Sequence, residues 1–391
     1  MTFSFFDVAI LIGVSHGFLV AGSIWFRAHR TLSKLLLALL LLVFNGLCLK
    51  ILIHTTGLWH TQVFRYFPLA VELAIQPLMW LYILSLTQID FTLRKKHLLY
   101  FVPCGLSLIY SVFIYILALG EVDFASKDAL ANRFYFNTVK EIEDYLSVVS
   151  AVVYWLLGLR AVLRFRVWLF SSTSNTDYPT YVWLRNIALL MGLLIVLLAL
   201  SVALDYFFSI GNVFVHWQVF FIYMAGLIYY LGFRGYQLPD QLFPVVNALS
   251  EKPLTPCQAI ESTEPVQTKF DFSAEKLAVM KEAIVHALES KQAHLDADLN
   301  IQKLASIVQV SPAVLSAVVN QAFGKNFRNL VNDYRLVHVK KKLTDPANAH
   351  LSINGIAFES GFNSEASFYR IFKLAEGMSP KEYMLQSSPQ K

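Results

Sequence analysis

Hydrophobic positions in the first 233 residues neither alternate nor keep to one helical face; they run on in long blocks. Leu35 to Val43 is apolar all round, as a helix surrounded by lipid is, whereas a helix in a soluble core keeps a polar stripe. A bilayer core about 30 Å thick takes roughly 20 such residues at 1.5 Å each. Blocks of about that size recur at 3–26, 35–58, 67–86, 98–119, 146–162, 187–208 and 217–233, so seven spans are predicted. The pattern then breaks. Pro239, Pro244, Pro253, Pro256 and Pro265 punctuate a polar stretch, 236–270, which is predicted to be a flexible linker.

From Asp271 apolar residues return at helical spacing. Leu277, Met280, Ile284 and Leu288 form one stripe between Ser273 and Ser290. Asn300 is placed to cap a short helix through Ile301, Leu304, Ala305 and Val308. Ser311-Pro312, a cap followed by proline at the first helical position, then opens a helix that stops at Gly324. Two short helices joined by a tight turn predict a helix-turn-helix. The motif recurs: Ile353, Ile356 and Ala357 lead to a stop at Gly361, and Asn363-Ser364 caps a helix reaching Glu376. In that helix Phe368, Ile371, Phe372 and Ala375 face inward, while Ala366, Tyr369, Arg370 and Lys373 share the other face. Such a second helix is the element that enters a DNA major groove. Between the two units, 327–343 predicts a helix about 25 Å long. It carries Arg328, Arg335, Lys340, Lys341 and Lys342, with Lys325 just before it and only Asp333 opposing, a pattern that suits phosphate contact.

Composition sharpens this division. Of 391 residues 56% are hydrophobic and 15% charged, against about 25% charged in ordinary soluble domains, which excludes both a soluble globule and a disordered chain. The fold class is therefore all-α: a seven-helix polytopic membrane domain (1–235), the linker, and a soluble helical domain (271–391, core 299–384) with two helix-turn-helix units joined by a linker helix. The net charge of +5 matters through its placement. Arg27, Arg30 and Lys34 lie between the first two spans, Arg94, Lys95 and Lys96 between the third and fourth, and Arg160, Arg164, Arg166 and Arg185 around the loop between the fifth and sixth. The positive-inside rule assigns those loops to the cytoplasm, with the N-terminus outside and the C-terminal domain inside. A removable signal peptide is not expected.

Ionisable residues within spans are costly and point to function. Asp7, Lys50, His54, Glu72, Asp205 and His216 all fall toward the outer helix ends. They are either interface residues or the lining of an outward-facing sensing pocket for a signal molecule. Asn45 and Gln76 lie deeper and predict helix-to-helix hydrogen bonds. Cys48, Cys104 and Cys257 fit no metal spacing. No catalytic motif is present, so neither an enzyme nor a metal or cofactor site is expected. The alternative to a DNA-binding protein is a membrane receptor or transporter whose C-terminal domain docks a partner protein.

The C-terminal residues carry a further likeness. Leu304-Ala305, Ser311-Pro312, Leu315-Ser316, Asn320, Gly324, Phe327, Asn332-Asp333-Tyr334-Arg335-Leu336, Ile356-Ala357, Gly361-Phe362, Ser367-Phe368, Arg370, Phe372-Lys373, Gly377, Ser379-Pro380 and Tyr383 resemble the AraC/XylS-type DNA-binding domain. Paired with apolar spans, this is similar to membrane-tethered bacterial regulators of that family. The resemblance implies a transcriptional regulator in the bacterial inner membrane. Its partners would be double-stranded DNA, the lipid bilayer, RNA polymerase and possible second copies of itself as a homodimer. One monomer would set two recognition helices in successive major grooves. Carried onto this chain, the base-reading positions are Glu365, Ala366, Tyr369 and Arg370 in the second unit and Ala313, Ser316, Ala317, Asn320 and Gln321 in the first. Ser364, Lys373, Lys325, Arg328, Lys340, Lys341 and Lys342 would lie along the backbone. Two departures stand out: Ala317 holds a frequently basic position, and Gln309 sits where a turn glycine would be easier.

Overall fold

Ser4 opens the first helix: its hydroxyl accepts from the Asp7 amide while the Asp7 carboxylate accepts from the Ser4 amide at 2.8 Å, a capping box. The helices are α1 (Phe5–Trp25), α2 (Leu32–Thr55), α3 (Ile75–Thr87), the single turn α4 (Lys95–Leu98), α5 (Val102–Leu119), α6 (Phe124–Arg133), α7 (Phe136–Ser172), α8 (Pro179–Phe208) and α9 (Val215–Gln237). Then come α10 (Ala274–Glu289), α11 (Ile301–Val308), α12 (Pro312–Phe323), α13 (Phe327–Thr344), α14 (Ile353–Glu359), α15 (Glu365–Glu376) and α16 (Pro380–Ser387). This computed structural model describes residues 3–27, 31–88, 91–172, 179–208, 214–238, 272–348 and 350–387, and no strand occurs among them. Beyond Leu238 the expected linker, with Cys257, lies outside the described residues. The chain divides into two compact units, Met1–Val162 with Thr180–Pro244, and Leu163–Pro179 with Val245–Lys391.

Among the described residues six helices, Phe5–Trp25, Leu32–Thr55, Lys95–Leu119, Phe136–Phe170, Pro179–Tyr206 and Val215–Gln237, are long and apolar enough to cross a membrane. Seven spans were expected. The third is shorter than its hydropathy implied, because 67–71 is non-helical and only Glu72–Thr87 is helical, about 24 Å by rise per residue. Pro77, which has no amide proton to give, sits in the first turn of α3, where a helix start tolerates it. The fifth is longer: the acidic stretch 121–144, which lies between the predicted spans 98–119 and 146–162, forms α6 and the first turns of α7. Large apolar side chains stand outward along these helices, among them Leu106, Ile109 and Ile116 on α5, Val149 on α7 and Leu189 and Val196 on α8.

Close backbone approach holds α1 against α2 and α9. A Cβ on Gly13 would meet that of Ala225 at 2.8 Å, and one on Gly17 would meet the Asn45 amide oxygen at 2.4 Å. Asn45, fully buried, donates to the Val14 carbonyl at 3.2 Å, the interhelical bond expected of it. Lys34, expected as a loop charge, is instead buried. Its ammonium donates to the carbonyls of Gly235, Tyr236 and Leu238 at 2.7, 2.7 and 2.8 Å, closing the open end of α9 where carbonyls lack partners and the helix dipole is negative.

The second unit has two cores threaded by one helix. Phe327, Leu330 and Val331 of α13 pack with α10, α11 and α12, while Leu336, Val339 and Leu343 further along pack with α14, α15 and α16. α13 supplies buried side chains to both cores, so each half of this unit is completed by the same helix.

Candidate nucleic-acid interface

Sequence chemistry sets the first helix pair locally. The Asn300 side chain accepts from the Lys303 amide at 2.8 Å to start α11, and Ser311 accepts from the Val314 amide at 3.3 Å to start α12 with proline at its first position. Gln309 turns the chain between them in the left-handed region, φ 60°, where glycine would be unstrained. The axes of α11 and α12 meet at 92°, within the range of helix-turn-helix pairs. On α12, Leu315, Val318 and Val319 are buried, Ala313, Ser316 and Ala317 are half-buried, and Asn320 and Gln321 are exposed. Its outward face is thus short of charge, as Ala317 foreshadowed.

The second pair presents more. Ser352 caps α14 by accepting from the Gly355 amide at 3.0 Å, and α15 ends on Gly377 at φ 74°. Phe368 and Phe372 are fully buried and lock α15 onto its core, leaving Glu365, Ala366, Arg370 and Lys373 exposed on the opposite face. Tyr369 is half-buried, its ring 5.3 Å from that of Phe368. Two details differ from expectation. Ala375 is exposed rather than inward-facing, and Ser364 makes no side-chain cap bond, so its hydroxyl is not committed to the helix amides. The first amides of α15 beside it form a site that favours a phosphate.

The expected phosphate strip is more fully paired than the sequence implied. Lys325 bonds Asp333 at 2.6 Å, Lys340 bonds Glu376 at 2.9 Å and Lys342 bonds Glu359 at 2.5 Å. Two of these acids come from α14 and α15, which a reading confined to one helix does not see. The Glu376 carboxylate holds the Lys340 ammonium above the usual lysine range, and the Lys342 ammonium holds the Glu359 carboxyl below its usual range. Surface pairs of this kind are worth little, so a phosphate can exchange for the carboxylate. Lys341 is exposed. Arg328, expected on the strip, is instead only 8% exposed, its guanidinium lying over the Phe170 ring at 5.1 Å.

Arg335 is buried too, and it ties the two helix pairs together. Its guanidinium donates to the carbonyls of His294 at 2.8 Å and Asp296 at 2.7 Å and lies over the Phe362 ring at 5.8 Å. Gly361 meets it there at φ 89°, and a Cβ would stand 2.4 Å from the His294 carbonyl oxygen and 2.9 Å from Arg335 Nε. Burial lowers the pKa of both His294 and His338, and their rings lie 5.7 Å apart at this junction.

The first unit contains a cavity of about 640 Å³. Of the residues expected in a sensing pocket, Lys50, His54 and Glu72 line it, and Lys50 pairs with Glu72. Asp7, Asp205 and His216 do not. Asp7 is buried, capping α1 and accepting from the Thr55 hydroxyl at 2.5 Å, while Asp205 accepts from Trp217 Nε1 at 2.8 Å and pairs with His216 at 2.9 Å. They position Thr55 and Trp217, which do line the cavity. Asp144 also lines it and was missed, because it falls two residues before the predicted fifth span, 146–162. Among the described residues no group of three or more His, Cys, Asp or Glu is placed to hold a metal ion.

Residues 304–386 match the family described as helix-turn-helix domain, and the C-terminal region is a helix-turn-helix domain of the AraC type. Over 90 residues the chain is 34% identical to uncharacterized HTH-type transcriptional regulators of Staphylococcus aureus strains MSSA476 and N315, a stretch that is 23% of this chain and 12% of each relative. Over 117 residues it is 27% identical to the HTH-type transcriptional regulator GlxA of Rhizobium meliloti, covering 30% of this chain and 35% of that protein. The chain therefore spans only about an eighth of the length of the first relatives it matches. No solved structure matches it.

Proposed function

With an AraC-type helix-turn-helix domain as its C-terminal part, we propose that this chain is a membrane-anchored, sequence-specific DNA-binding transcriptional regulator. The observation that carries the reading is α15. Its buried Phe368 and Phe372 fix a face of Glu365, Ala366, Arg370 and Lys373 outward, on the second helix of a helix-turn-helix. Arg370 makes the bidentate contact to guanine, and Glu365, Ala366 and Tyr369 read neighbouring bases. Ser364, Lys373 and Lys341 hold the phosphates, joined by Lys325, Lys340 and Lys342 when their carboxylate partners are exchanged. Ala313, Ser316, Ala317, Asn320 and Gln321 give the first unit a smaller share.

The first unit anchors the protein in a bacterial inner membrane with its N-terminus outside. The three basic loops, between the first and second, third and fourth, and fifth and sixth predicted spans, face the cytoplasm on this topology, which requires the short α3 stretch to cross as well as the six long helices. The 640 Å³ cavity, with Lys50, His54 and Glu72 in its lining, receives the signal. RNA polymerase and a second copy of the chain are further partners of such a regulator.

Titrating duplex DNA into the fragment 272–391 at rising salt tests the reading. Affinity should fall steeply as salt rises, because released counterions drive phosphate contact; an affinity indifferent to salt is incompatible with it. One observation favours the partner-docking alternative: Leu374, on α15, is 83% exposed. Arg370→Ala separates the two, since a docking face loses nothing specific to DNA.

A further inference from the structure

We propose that the cavity of the first unit binds an amphipathic cation, an aliphatic chain ending in an ammonium or quaternary ammonium group. Its shape suits a chain. The lining follows α7 from Asp144 to Leu159, about 22 Å at helical rise, and most of the wall is apolar.

The charged end sets the head group. Lys50 is neutralised by Glu72, and the neighbouring Glu143 is taken by Lys140 at 2.6 Å. Asp144 is left as a second carboxylate in the lining with no direct hydrogen bond or ion pair of its own, so this end carries an excess negative charge. Gln76 adds an independent sign. It is 8% exposed and lines the cavity, and its side-chain oxygen is buried without a hydrogen-bond partner, while its amide nitrogen reaches the Ser147 carbonyl at a long 3.5 Å. An unpaired carboxylate and an unpaired amide oxygen both call for a donor, and both penalise an anion.

The aromatic wall agrees. Trp155 donates its indole N–H to the Ala188 carbonyl at 2.8 Å and Trp217 donates to Asp205 at 2.8 Å. Their polar edges are thus spent, and what they offer the cavity is ring surface, which attracts cations and alkyl chains alike.

The same head group is available from a free alkylammonium compound or from an aminophospholipid of the bilayer. The test uses the purified full chain in maltoside micelles, titrated with dodecyltrimethylammonium and with dodecanoate at equal mole fraction, and read by tryptophan emission from the cavity wall. The ammonium probe should saturate with at least ~tenfold preference over the carboxylate, a difference of about 1.4 kcal/mol. Asp144→Asn should collapse that preference, Asp144→Glu should restore it, and Gln76→Leu should weaken ammonium binding. Displacement of the probe by phosphatidylethanolamine assigns the site to lipid, and its failure to displace assigns it to a free amphipath. Equal binding of the two wild-type probes, or a preference that survives Asp144→Asn, overturns the site. Its use as a signal rests on the proposed function and is read separately: unchanged DNA occupancy in the presence of a bound probe overturns that use and leaves the site standing.

Discussion

Replacing Gly361 by alanine should loosen the joint between the two helix-turn-helix units. Gly361 sits at φ 89°, a region that costs an ordinary L-residue roughly 1–2 kcal/mol. The new methyl would also lie 2.4 Å from the His294 carbonyl oxygen and 2.9 Å from Arg335 Nε. The first of these is backbone and the second belongs to a buried guanidinium already bonded to two carbonyls, so neither can move cheaply. Overpacking of that order adds about 1–3 kcal/mol, for a total of about 2–5 kcal/mol. Gly324 is the control: its φ is 64°, but a Cβ there meets nothing within 4 Å, so Gly324→Ala should show only the backbone cost. Thermal unfolding of 272–391 carrying each change reads the difference. At roughly 4–8 °C per kcal/mol for a small domain, Gly361→Ala should melt at least ~5 °C below Gly324→Ala. Equal midpoints would refute the claim that Arg335 and Gly361 form a packed joint.

Arg370→Ala should cost about 1–3 kcal/mol at a specific site and relax one base preference, whereas Lys341→Ala should weaken binding to all sequences and flatten the salt slope by about one unit; competition titrations at several salt concentrations separate them. Gln309→Gly should stabilise the domain by about 0.5–1 kcal/mol, because it relieves a left-handed glutamine at the cost of a freer unfolded chain, and chemical denaturation measures it. Acidification below about pH 6.5, the ordinary imidazole value, should destabilise the C-terminal unit. The folded-state pKa values of His294 and His338 are lowered by burial, so the unfolded chain binds more protons, and the stability these groups lend above that pH is lost as pH falls through the folded values. His338→Gln should flatten that dependence, read as the unfolding midpoint against pH.

What the sequence made legible was whatever is decided locally. Asn300, Ser311-Pro312, Gly324 and Gly377 announced helix starts and stops through caps and left-handed turns, and even Gln309 was recognisable as a residue in a glycine's place. Unbroken apolar runs marked the long helices of the first unit, since hydropathy needs no partner to be read. Pairings across elements were not legible. The lysines of α13 looked unopposed because Glu359 and Glu376 lie 17 and 36 residues from their partners. Lys34 looked like a loop charge because the carbonyls it closes are some 200 positions away. Asp144 was hidden by a boundary, two residues ahead of where the predicted apolar span 146–162 begins, and Arg328 and Arg335 read as surface charge because burial is set by packing that one-dimensional spacing does not contain.

The central claim is that a chain anchored by its first unit reads DNA through α15. Crosslinking the full-length protein to the chromosome in bacterial cells, recovering the bound DNA and sequencing it tests this most directly. The account predicts discrete peaks sharing a sequence motif, which vanish in Arg370→Ala while the protein stays at the same level in the membrane fraction. A featureless profile, or peaks unchanged by Arg370→Ala, would contradict it.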